Sequence, residues 1–217
     1  MLLLGKDIFK SYNNINVLKG ININISSGEI VSVVGKSGAG KSTLLYILSS
    51  LENPDRGDVL FDGINLNSLN KMQIAHFRNQ NIGFVFQFHN LLPEFTALEN
   101  VCIPGYLTNK TKKEVEKEGT KLLKFLDLEN RMFHKPSELS GGEQQKIAVA
   151  RSLINNPSII FADEPAGNLD TSNSKQLFDL IKKLNKEFNQ TFVLVTHNMD
   201  FASIAQRILE IKDGKIK

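Results

Sequence analysis

The chain has 217 residues, 41% hydrophobic and 23% charged, with a formal net charge of +3. That length suits one sizeable domain, and the composition is that of an ordinary globular protein. Both signs of charge are spread along the chain, so no nucleic-acid partner is expected. One cysteine, Cys102, excludes an internal disulfide and a multi-cysteine metal site, and it fits a reducing compartment.

From the N-terminus, MLLLGKD carries too few leucines for a signal-peptide core. No apolar run approaches the roughly 18 residues that span a bilayer. Any action at a membrane would need another chain to supply the membrane part. Ile8, Val17, Ile21, Ile23 and Ile25 alternate with polar residues, which predicts antiparallel strands. EIVSVVG (29–35) reads as a short buried strand, KSTLLYILSS (41–50) as a helix, and GDVLFDG (57–63) as a strand closed by an Asp-Gly turn. NIGFVFQ (81–87) is strand-like.

Residues 88–155 show little strand pattern. Residues 112–128 read as a helix with Val115, Leu122, Leu123, Phe125 and Leu126 on its apolar side, and residues 143–155 as a second helix. SIIFADE (158–164) and TFVLVTH (191–197) are continuous apolar strands on either side of a helix near 172–188. RILEIKDGKI closes the chain as a hairpin around Asp213-Gly214. Apolar strands alternating with helices predict an α/β fold with a mostly parallel sheet covered on both faces. The expected layout is a single domain over 1–217. It has an ATPase-type core (1–87 and 156–217), an antiparallel β subdomain at its N-terminal end and an inserted helical subdomain at about 88–155.

GKSGAGKS (35–42) fits G-x-x-x-x-G-K-[ST] between a predicted strand and a predicted helix. The glycines let successive N–H groups converge on phosphate oxygens, and the helix N-terminus adds positive potential. The nucleotide-binding set is therefore Gly35, Lys36, Ser37, Gly38, Ala39, Gly40, Lys41, Ser42 and Thr43. Lys41 reaches the β- and γ-phosphates and Ser42 ligates Mg²⁺. Asp163 at the end of SIIFADE would hold Mg²⁺ through water, and Glu164 could polarise the attacking water. These motifs predict nucleotide hydrolysis.

A second glycine pair, LSGGE (139–143: Leu139, Ser140, Gly141, Gly142, Glu143), opens a predicted helix about a hundred residues downstream. With the phosphate loop and FADEP in this order, it resembles the signature of the ATP-binding cassette (ABC) ATPases over essentially the whole chain. The resemblance implies a P-loop NTPase fold, ATP as substrate and Mg²⁺ as cofactor. It also implies an ATP-bound homodimer in which each signature serves the nucleotide of the other subunit. Gln87 resembles the residue that senses Mg²⁺ and the attacking water. His197 resembles the histidine at the γ-phosphate, and Asp170 in NLD the acid of a loop crossing the dimer interface. Tyr12 resembles the aromatic that stacks on adenine. Lys36, Ala39, Lys146, Ala166 and Asn198 depart from common family residues, and none of them removes a catalytic atom.

FRNQNIGFVFQFHNLLPEFTALENV (77–101), particularly QFHNLLPEFTALENV, with SELSGGE and ADEP-x-GNLD, is similar to the lipoprotein-releasing branch of these ATPases. That implies lipoprotein extraction from the inner membrane, with the ATPase on the cytoplasmic face and bound to two integral membrane subunits of LolC/LolE type. The alternatives are a MacB-type exporter, an FtsE-type cell-division ATPase and a soluble non-transport ABC ATPase. The exporters usually carry their own membrane domain. The soluble type usually shows long coiled-coil insertions or two cassettes, and a P-loop kinase or GTPase would leave LSGGE, Gln87 and His197 unexplained. Among Phe88, Leu91, Leu92 and Phe95, two are expected to pack inward and the rest to form a small docking patch.

Overall fold

The computed structural model describes residues 1–217. Its strands are β1 (Leu3–Tyr12), β2 (Ile15–Ile25), β3 (Ile30–Val34), β4 (Arg56–Phe61), β5 (Ile64–Asn65), β6 (Ile82–Val85), β7 (Ile159–Asp163), β8 (Thr191–Val195), β9 (Arg207–Lys212) and β10 (Lys215–Ile216). Its α-helices are α1 (Lys41–Leu48), α2 (Lys71–Asn81), α3 (Ala97–Tyr106), α4 (Lys112–Phe125), α5 (Gly141–Leu153), α6 (Thr171–Phe188) and α7 (Met199–Ala202).

The strands form two sheets. One is antiparallel, in the order β2-β1-β4-β5. The other runs β10-β9-β3-β8-β7-β6, parallel throughout except for the terminal β9–β10 hairpin. Every residue of β3, β7 and β8 is buried, as strands with both faces covered require. The three two-residue hairpins close on Asn13-Asn14, Asp62-Gly63 and Asp213-Gly214, each pair with positive φ as a type I′ turn demands.

Between the sheets, β1, β2, β4, α1 and one face of the parallel strands share a single apolar cluster that includes Ile8, Ile25, Leu44 and Phe161. On the other face, α6 lays down Leu177, Ile181 and Leu184 at helical spacing. Each such burial contributes about 1.5–3 kcal/mol. A third cluster joins α3, α4 and α5. α5 takes part in both: Ala148 and Val149 pack on the sheet side, Ile147, Ala150 and Ile154 on the helical side. The second half of α5 is therefore held from two directions. Cys102 sits in the third cluster, its thiol donating to the Val115 carbonyl, and burial pushes its pKa up to about 11.

Several local readings shift. The first helix of the middle segment ends at Phe125, with Leu126 as its cap and Leu128 outside it. The second starts at Gly141 and ends at Leu153, because Ser140 caps it. α2 and α3 are additions. α2 buries no residue and rests on an Asn70–Gln73 capping box, so no apolar stripe marks it.

Candidate functional site

In a parallel sheet, ligands collect at the carboxyl ends of the strands. β3, β8, β7 and β6 are adjacent and nearly level: Val33 pairs with Val195, Asp163 with Val195, and Val85 with Ala162. Their ends therefore bring Gly35, Thr196-His197, Glu164 and Phe86-Gln87 to one edge.

Residues 35–40 connect β3 to α1. Gly40 caps the helix at φ 100°, and a Cβ there would lie 2.8 Å from Leu18 Cδ2, so both backbone and space require glycine. Lys41 is buried, and its ammonium donates to the Gly35 and Lys36 carbonyls at 2.9 and 3.1 Å. The amine is thus folded back over the loop whose N–H groups can receive phosphate. Ser37, Gly38 and Ala39 form the tip of the loop and, with Lys36, line one wall of a cleft against the β9–β10 hairpin.

Ser42 Oγ donates to Asp163 Oδ1 at 2.9 Å. Asp163 Oδ2 accepts from the Tyr46 hydroxyl at 2.8 Å. Burial, then the bond to Asp163, pushes the Tyr46 pKa up to about 12. Tyr46 escaped the sequence reading, although it lies one helical turn beyond Ser42 on the same face of α1. The donor set suits Mg²⁺, which takes hard oxygens and keeps few protein ligands beside phosphates and water. No group of three His, Cys, Asp or Glu side chains offers a cage for another metal.

Glu164 comes directly after Asp163 with φ 45°, a left-handed turn that swings its side chain away from the strand line. Its Oε1 lies 2.9 Å from His197 Nδ1, and its Oε2 accepts from the His197 N–H at 3.3 Å. The Glu164 carboxylate is mostly shielded while the His197 ring is exposed. The Gln87 side-chain amide nitrogen lies close by, 3.1 Å from where a Cβ on Gly167 would sit, and the Gln87 backbone carbonyl accepts from Asn168 Nδ2 at 3.2 Å. Glu164, His197 and Gln87 thus come together beside the 164–167 turn.

Tyr12 is half exposed, with its hydroxyl donating to Glu52. Burial first, then that bond, raises its pKa, and the Thr43 hydroxyl adjoins it. Tyr12 therefore stands beside the first turn of α1.

Leu139 is buried, whereas Ser140 and Gly141 are exposed. Ser140 Oγ accepts from the Glu143 N–H at 3.3 Å, and Glu143 Oε2 accepts from Ser140 N and Oγ at 2.8 Å each. These bonds, the backbone one first, hold the Glu143 carboxyl below its usual range. No hydrogen bond joins residues 139–143 to residues 35–42. Asp170 caps α6, accepting from Asn173 N and Nδ2 at 2.8 Å each. Those contacts, the backbone one first, depress its pKa.

Of the four apolar side chains after Gln87, only Leu91 packs inward, against both the sheet-side and the helical-side cluster. Phe88, Leu92 and Phe95 are exposed, one more than expected. Fully buried Asn100 explains this: it accepts from Leu92 N at 2.8 Å and donates to the carbonyls of Leu92, Phe95 and Thr96 at 3.0–3.1 Å. That pins 92–96 as a surface turn. Arg151 donates to the His89 and Asn90 carbonyls and so holds two residues of positive φ. Neither anchor was read from the sequence, though the T-x-x-E capping box at Thr96–Glu99 marks the helix that carries Asn100.

Likenesses to known proteins agree with this geometry. A family model described as ABC transporter matches residues 18–167. The lipoprotein-releasing system ATP-binding protein LolD of Cytophaga hutchinsonii is 54% identical over 215 residues, covering 99% of this chain and 98% of that protein. The protein of the same name from Porphyromonas gingivalis is 51% identical over 214 residues, covering 99% and 98%. A solved dimeric, post-hydrolysis structure of the ATP-binding cassette MJ0796, bound to ADP and Pi, aligns with a TM-score of 0.90 at 42% identity, covering 100% of this chain and 97% of that one. The fold, the ordered motifs and these full-length likenesses agree: the chain is an ATP-binding, ATP-hydrolysing subunit of the ABC transporter family, in its lipoprotein-releasing group.

Proposed function

We propose that the residues gathered at the strand ends hydrolyse Mg²⁺-ATP and power lipoprotein release from the inner membrane. The observation that carries this reading is the convergence of Lys41, Ser42, Asp163, Glu164 and His197 on one edge of the parallel sheet. Lys41 exchanges its two loop carbonyls for β- and γ-phosphate oxygens, and the 36–43 N–H groups bind the remaining phosphate charge. Tyr12 stacks on the adenine ring. Ser42, Asp163 and Gln87 would hold Mg²⁺, which would supply charge neutralisation on the phosphates. A water attacks the γ-phosphorus, the bond to the ADP oxygen breaks, and the proton passes to the Glu164 carboxylate. His197 fixes that carboxylate by its ring and its N–H and faces the γ-phosphate.

The last wall of the site comes from a second copy. Ser140 and the N–H groups of Gly141 and Gly142 open α5 toward solvent, a helix start suited to an anion. Asp170 lies on the same face. The dimeric cassette structures similar to this chain support a two-copy arrangement. In it the chain works as one cassette, 1–217, with an ATPase core (1–87 and 156–217) and a helical subdomain at about 88–155.

No helix is long and apolar enough to cross a membrane. We assign membrane work to two partner subunits of LolC/LolE type, with this chain docked on the cytoplasmic face through the exposed Phe88, Leu92 and Phe95. The names of the relatives support that reading. The test is reconstitution with those two subunits in vesicles holding a lipoprotein. Release should need ATP and should be lost in Glu164→Gln. Release at the parent rate without ATP would contradict it.

A further inference from the structure

Gly142 is buried, yet its φ is not positive, so its backbone does not demand glycine. Space does. A Cβ at Gly142 would sit 2.3 Å from Asn173 Oδ1 and 2.7 Å from Asn173 Cγ, closer than real Cβ contacts come. The other end of the same amide, Nδ2, donates to Asp170 Oδ2 at 2.8 Å, and the Asn173 N–H donates to Asp170 Oδ1 at 2.8 Å. One side chain therefore lies on the start of α5 with its oxygen and grips Asp170 with its nitrogen. Leu169 adds a looser contact, 3.9 Å from a Cβ on Gly141.

From this geometry we infer that Asn173 is a positioning residue, locking the 139–143 helix start to Asp170 so that one chain presents both to its partner as a single surface. The inference rests on the composite site proposed for the two-copy arrangement. The lock has a short path to the chemistry. Asp170 ends the turn that begins at Glu164, whose carbonyl accepts from the Gly167 N–H at 2.9 Å. A shift of α5 relative to α6 thus reaches the 164–170 segment through one amide. The backbone cap of α6 does not depend on the Asn173 side chain, because the N–H bond to Asp170 survives its removal.

The experiment uses the full chain in a Glu164→Gln background, with dimerisation in ATP measured by light scattering. Gly142→Ala should lower dimerisation at least about tenfold by pushing the Asn173 amide off Asp170. Adding Asn173→Ala should remove the clash and return dimerisation to within about threefold of Asn173→Ala alone, which itself should be a few-fold below the parent. ATP affinity of the monomer should be the same in all four chains, since the phosphate loop is untouched. A double variant no better than Gly142→Ala, or a Gly142→Ala chain that dimerises like the parent, would overturn the inference. Melting temperatures of the four monomers give a second, independent reading: the loss in Gly142→Ala should be partly recovered in the double variant, and additive losses would show that the contact does not exist. A parent that stays monomeric in ATP would instead remove the composite site and the positioning role with it, while the melting temperatures would still report the contact.

Discussion

His197 holds both carboxylate oxygens of Glu164: its ring Nδ1 lies 2.9 Å from Oε1 and its N–H donates to Oε2 at 3.3 Å. The carboxylate is therefore oriented by a residue just past the end of the neighbouring strand, β8. Truncation at 197 removes the ring contact and leaves the N–H. His197→Ala should keep ATP affinity and slow phosphate release about ten- to a hundredfold, in the range of a mispositioned base. Glu164→Gln should fall further, by at least about a hundredfold, and retain ATP through gel filtration. Turnover at the parent rate in either variant would remove that residue from the chemistry.

Tyr46 offers a separable test of the metal pair. Tyr46→Phe keeps the ring among Phe84 and its neighbours but deletes the donor to Asp163 Oδ2. A hydrogen bond to a charged group is worth about 1.5–3 kcal/mol, so melting should drop by several degrees. Asp163 Oδ1 remains next to Ser42 Oγ. The apparent Mg²⁺ requirement for hydrolysis should rise several-fold while ATP binding in EDTA stays constant. An unchanged Mg²⁺ titration would show that Tyr46 only packs.

The strand ends were legible because buried parallel strands leave a plain signal. IVSVV, IIFAD and TFVLV are short, mostly apolar runs without alternation, and the residues just after each had to lie at the sheet edge. Gly35, Glu164 and His197 were placed that way. α2 was missed because it buries no residue, and α3 because Pro104 lies inside it and blurs the pattern. Tyr46, Asn100, Arg151 and Asn173 were missed for another reason. Each acts by touching a residue brought near by packing, and no local spacing announces such a contact.

The surface after Gln87 predicts a separation of functions. Phe88 is 71% exposed and Phe95 41%, whereas Leu91 is packed inward. Phe88→Ser with Phe95→Ser should weaken co-purification with the two membrane subunits at least about tenfold and leave the free chain's basal ATPase within about twofold. Leu91→Ser should instead lower the melting temperature, because it removes apolar contacts from two clusters. Undiminished co-purification in the Phe88/Phe95 double variant would move the docking surface elsewhere.

In the composite site proposed above, each nucleotide would lie between the 35–42 loop of one copy and the 139–143 helix start of the other. Lys41→Ala chains have two broken phosphate loops per dimer, and Ser140→Arg chains two broken helix starts. Mixing them redistributes the damage. One composite site collects both lesions, and the other takes Lys41 from one chain and Ser140 from the other and is intact. Differently tagged chains, purified as heterodimers in ATP, should retain one nucleotide per dimer after gel filtration, where either homodimer retains none. Heterodimers that form but hold no more ATP than the homodimers would contradict the shared site.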